Sequence, residues 1–65
     1  MQVLINRVSQ ELPSGCTVEQ ALSLGQFKPP YVVALNMTFL PKTAYASTTL
    51  QPSDELEVIS PITGG

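Results

Sequence analysis

The chain has 65 residues, three basic against five acidic side chains, a net charge of −2, one cysteine and no histidine. That length makes one domain near the lower limit at which a single hydrophobic core folds unaided, with little interior to spare for a polar active site. The acidic balance argues against nucleic acid, the lone Cys16 leaves no intramolecular disulfide or cysteine-rich metal site, and the missing histidine removes the usual general base. No metal ligands and no catalytic residues are expected.

Met1-Gln2-Val3-Leu4-Ile5 is a β-branched-rich strand, and Asn6-Arg7 is a two-residue turn because asparagine tolerates the left-handed conformation. Val8 to Leu12 returns antiparallel; its imperfect alternation places it at an edge, and Pro13-Ser14-Gly15 stops it. The chain enters this strand with no basic n-region and no long apolar run. Neither a signal peptide nor a membrane span is therefore expected, and the cytoplasm is the expected location.

Thr17-Val18-Glu19-Gln20 has the form of a capping box, with Glu19 placed to favour the helix dipole. Val18, Ala21 and Leu22 form one buried stripe, which Leu24 is expected to widen. Gly25 caps the helix and Pro29-Pro30 forbids a longer one. Cys16 fits the small apolar position before the N-cap better than a covalent or redox role.

Tyr31-Val32-Val33-Ala34-Leu35 is a continuous apolar run, which predicts a strand covered on both faces. Asn36-Met37-Thr38 turns into a brief strand at Phe39-Leu40, ended by Pro41. Residues 42–49 suggest one helical turn and a loop, anchored by Tyr45 and Leu50. Pro52-Ser53-Asp54 turns into the last strand, Glu55 to Ser60, with Leu56 and Val58 on one face and Glu55, Glu57 and Ile59 on the other. The order ββαβββ predicts an α+β fold, a mixed sheet with one helix packed across one face and the first and last strands side by side in its middle.

Residues 1–60 form the expected domain and 61–65 a flexible C-terminal diglycine tail. Pro61 cannot donate to a ladder, so the backbone beyond it is expected to be free. Five extended residues reach roughly 17 Å. At the tip, Gly64 and Gly65 lack a Cβ and suit a narrow channel, and an α-carboxylate there is ionised at neutral pH. Ile62, Thr63 and Gly64 are the residues expected to enter a partner, with Gly65 the group presented. Leu4 and Ile59, both predicted on the sheet face opposite the helix, are the candidate docking surface.

This order, ending in a diglycine, resembles the ubiquitin-like β-grasp family, and within it the ThiS sulfur carriers of thiamine biosynthesis. The matching stretches are Met1-Gln2-Val3-Leu4-Ile5-Asn6, Gly15-Cys16-Thr17-Val18, Ala34-Leu35-Asn36, Leu40-Pro41-Lys42, the turn at Asp54, and Ile62-Thr63-Gly64-Gly65. Ser53 stands where the family usually has glycine, the helix is shorter than usual, and Pro61 is unusual within the tail. The resemblance implies no catalysis by the chain itself and no bound cofactor. A ThiF-like adenylyltransferase would activate Gly65 with Mg²⁺ and ATP, a cysteine desulfurase would supply sulfur, and thiazole synthase (ThiG-like) would receive it from a terminal thiocarboxylate. The alternatives are the small subunit of molybdopterin synthase, a ubiquitin-like protein modifier and a plain binding module.

Overall fold

The computed structural model describes residues 1–60; the tail residues 61–65, including the expected insertion residues Ile62, Thr63 and Gly64 and the presented Gly65, lie outside the described residues. Strands β1 (Gln2–Ile5), β2 (Val8–Glu11), β3 (Val32–Leu35), β4 (Thr38–Leu40) and β5 (Glu55–Ile59) form one sheet in the order β2-β1-β5-β3-β4. Helix α1 (Val18–Leu24) contributes Val18, Ala21 and Leu22 to the core that one face of this sheet buries. The α+β ββαβββ expectation is met, with β5 central, parallel to β1 and antiparallel to β3.

Both hairpins close through residue pairs of positive φ: Asn6 (52°) with Arg7 (67°), and Asn36 (51°) with Met37 (69°). Two positive φ values in succession match the right-handed twist of the flanking strands, so each hairpin closes tightly. Strand β2 is an edge strand, exposed along its whole length.

Helix α1 begins where the sequence marks it. Thr17 Oγ1 accepts from the Gln20 N–H at 3.2 Å, and Gln20 Oε1 accepts from the Thr17 N–H at 3.0 Å. The first free helical amides are satisfied by the loop after β4: Val18 N–H donates to the Thr48 carbonyl and Glu19 N–H to that of Tyr45. Leu50 N–H in turn donates to the Cys16 carbonyl, which straps the loop across the helix entry. Cys16 is buried in the core, and its thiol donates to the Thr17 carbonyl at 3.4 Å. Tyr45 and Leu50 are buried as anchors, and the predicted helical turn is a 3-10 turn at Lys42–Ala44. Burying a leucine as completely as Leu50 contributes about 1.5–3 kcal/mol.

Two local expectations are corrected, on Leu24 and on β3, while the expected Gly25 cap is met. Leu24 does not widen the buried stripe: it is 61 % exposed. At about 100° per residue it sits roughly 240° round the helix from Val18, off the core side. Gly25 caps α1 with φ −78°, and the left-handed residue is Gln26, φ 58°. Space explains the glycine better than φ, because a Cβ on Gly25 would lie 2.6 Å from the Phe27 ring. Finally, β3 is covered on one face only: Val33 is buried while Val32 is 43 % exposed.

Candidate functional site: the last strand and the open sheet face

Strand β5 leads to the tail, so its geometry sets where residues 61–65 begin. Its alternation places Leu56 and Val58 in the core and Glu55, Glu57 and Ile59 on the outer face. Register then assembles that face. Ile59 stands opposite Val32, Glu57 opposite Ala34, and Ala34 opposite Phe39 on β4. Ile59, Val32 and Phe39 are all large, apolar and at least 43 % exposed. They flank Ala34 and Glu57 and give the outer face an apolar half.

Leu4 shares this face but lies elsewhere on it. It pairs with Glu55, four positions before Ile59, about 13 Å away along the strand at 3.3 Å per residue. Leu4 and Ile59 are therefore on one side of the sheet without touching. Val32 and Phe39 are the residues that join Ile59. The sequence signal for Val32 was hidden by its place in a run of five apolar residues, and that for Phe39 by the brevity of its strand.

Two asparagines missed as functional candidates hold β5 in place. Asn6 Oδ1 accepts from the Val58 N–H at 2.8 Å. At the other end, Asn36 Oδ1 accepts from the Glu55 N–H at 2.9 Å, and Asn36 Nδ2 donates to Asp54 Oδ1 at 3.1 Å. Asp54 Oδ2 also accepts from the Gln51 N–H at 2.8 Å, closing the turn that launches the strand.

Chemical groups for catalysis are sparse. Among the described residues no three His, Cys, Asp or Glu side chains gather as a metal site would require. Among the described residues no polar or charged side chain is buried in the core. A groove of about 560 Å³ between α1 and the 29–31 segment is walled by Leu22, Phe27, Tyr31 and Tyr45, with Glu19 and Lys42 its charged members. The Tyr31 and Tyr45 rings stack there with centroids 6.4 Å apart, and burial, then Tyr31, pushes the Tyr45 phenol up. A phenol raised in this way is a weaker acid than usual, which suits packing better than proton transfer. Among the described residues no helix is long and apolar enough to cross a membrane.

A five-stranded mixed sheet clasping one helix, with the central last strand leading into a diglycine, defines a ubiquitin-like β-grasp protein. A family model described as the ThiS family matches residues 3–65, and the chain belongs to that family of small sulfur carriers of thiamine biosynthesis, which are not catalysts. Among solved structures it is similar to the thiamine biosynthesis protein ThiS from Geobacter metallireducens. That likeness has 23% identity, covers 100% of both chains and has a TM-score of 0.86. No curated protein sequence matches the chain.

Proposed function

We propose that the chain carries sulfur as a thiocarboxylate on Gly65 and delivers it to thiazole synthase for the thiazole moiety of thiamine. The observation that supports this most is the family match running through residue 65, so that it includes the diglycine as well as the folded domain.

A carboxylate is a poor electrophile, so its oxygen must first become a leaving group. The Gly65 carboxylate attacks the α-phosphorus of Mg²⁺-bound ATP in a ThiF-like partner, releasing pyrophosphate and forming an acyl-adenylate. A persulfide sulfur, drawn through a cysteine desulfurase, then attacks the acyl carbon and expels AMP, and a thiol cleaves the resulting acyl disulfide, itself ending in a disulfide, to leave the thiocarboxylate. The chain contributes the carboxylate, a Cβ-free tip formed by Gly64 and Gly65, and a docking surface. Ile62 and Thr63 enter the partner's cleft behind the tip. The partner meets the apolar half of the outer face, with Val32 between Ile59 and Phe39; Leu4, on β1 beside the start of β5, extends that face away from Ile59.

The test is pyrophosphate–ATP exchange by a ThiF-like enzyme with this chain as acceptor. Exchange that requires Gly65 supports adenylation of the tail. No exchange, with an enzyme active on a known carrier, overturns it. Covalent adducts to other proteins that survive denaturation would assign the activated Gly65 to protein modification instead.

A further inference from the structure

The acceptor of the Val58 amide is out of the ordinary. Along the parallel β1–β5 pair, Leu4 N–H donates to the Asp54 carbonyl and Asn6 N–H to the Leu56 carbonyl, each at 2.9 Å. Continued by one step, this ladder would take the Val58 N–H to the main-chain carbonyl of residue 6. Residue 6 has already left the strand: its φ is 52°, and the chain reverses into β2. The side-chain oxygen of the same residue takes over and accepts the Val58 N–H at 2.8 Å. The ladder is thus extended by one bond beyond the end of β1.

Val58 is only 9 % exposed, so water is a poor substitute for that acceptor. Past this bond, Ile59 stands opposite Val32 on β3. Asn36 makes the matching contact at the other end of the strand through the Glu55 N–H. Both asparagines occupy the first positive-φ position of a two-residue turn, where a residue can keep the turn and aim its amide at a third strand.

We infer that Asn6 is a positioning residue for the tail: by holding the Val58 amide it fixes where and in which direction the chain leaves the sheet toward Gly65. This rests on the sulfur-carrier reading above. Docking and aiming are separable here, because the side chains of Val32, Phe39 and Ile59 face outward whereas the Asn6–Val58 bond lies within the sheet. Loss of the bond therefore acts on the reacting geometry rather than on association, and small misplacements of a reacting atom slow a reaction strongly.

Asn6→Gly keeps the left-handed turn and deletes the acceptor, while Asn6→Asp keeps both. The experiment measures thiocarboxylate formation by a ThiF-like enzyme against carrier concentration, together with amide hydrogen exchange at Val58, in the wild type and both variants. Asn6→Gly is expected to lower kcat about tenfold and leave the carrier KM within about twofold, with Asn6→Asp close to wild type. Val58 exchange should speed about fivefold in Asn6→Gly and stay slow in Asn6→Asp. An unchanged kcat in Asn6→Gly, a rise in KM alone, or a folded Asn6→Asp as slow as Asn6→Gly would overturn the inference. If Asn6→Gly does not fold, Asn6→Asp and the wild type decide, and unprotected Val58 exchange in the wild type overturns it. A wild-type protein that is never activated overturns the sulfur-carrier reading itself, and with it the tail role. An activated wild type with an indifferent Asn6→Gly removes only the role of Asn6.

Discussion

Ser53 holds a backbone conformation that suits glycine. Its φ is 71°, in the left-handed region that costs a residue with a Cβ about 1–2 kcal/mol. The turn needs it there, since Ser53 N–H donates to the Gln2 carbonyl and Asp54 N–H to that of Gln51. The family resemblance puts glycine at this position, and the structure gives the physical reason. Ser53→Gly is expected to raise stability by about 0.5–1 kcal/mol, part of the relief being offset by the greater freedom of glycine in the unfolded chain. A urea midpoint that rises with an unchanged slope would bear this out, and one that falls would contradict it. The turn itself was legible in Pro52-Ser53-Asp54. The second duties of Asn6 and Asn36 were not, because each bond joins residues far apart in sequence: Asn6 to Val58 and Asn36 to Glu55. Local pattern names a turn residue and says nothing of a third strand that comes to lie beside it.

Elements were legible where their signals are local. The capping box of α1 is present in both directions, and Thr17→Ala should cost about 1 kcal/mol in thermal or urea unfolding. A loss near zero would mean that the loop amide acceptors at Thr48 and Tyr45 hold the helix start without the cap. Strand β3 was legible as a strand but not in its burial, because an unbroken apolar run has no period to mark an exposed face. The open face it shares with β4 and β5 yields a further prediction. Val32→Asp or Phe39→Asp should raise the KM of the carrier for a ThiF-like enzyme about tenfold or more while leaving the fold intact, since both side chains are already exposed. An unchanged KM with both variants would move the docking surface elsewhere.

At the scale of the whole molecule, the start of the chain is bound to the end of β2. The N-terminus is tied down: the Met1 ammonium donates to Glu11 Oε2 at 2.7 Å and to the Leu12 carbonyl at 2.6 Å, and Leu12 N–H returns a bond to the Met1 carbonyl. The ammonium, first by hydrogen bond and then by charge, holds the Glu11 carboxyl below its ordinary value of 4.5. A carboxyl whose folded pKa lies below its unfolded one stabilises the fold above the unfolded value. That contribution is lost as pH falls through the folded value. Glu11→Gln should therefore flatten part of the acid limb of stability below about pH 4.5, by a small amount that salt reduces further, because the Glu11 side chain is 69 % exposed. An acid limb identical in the two proteins would contradict the coupling.

The whole-molecule topology was legible because every strand and the helix had a boundary signal, and a chain this short offers few alternative arrangements of one helix and five strands. What the order did not disclose was how far Leu4 and Ile59 stand from one another, since that follows from the parallel register of β1 against β5.

The central claim is that Gly65 bears the sulfur, and intact mass spectrometry tests it most directly. The full chain, and a variant lacking Gly65, would each be incubated with ATP, Mg²⁺, a sulfur source and a ThiF-like enzyme competent on a known carrier. The account predicts that the full chain gains the mass expected for exchange of one oxygen for sulfur, and that the shortened chain gains nothing. An unchanged mass in the full chain, or the same gain in both, would contradict it.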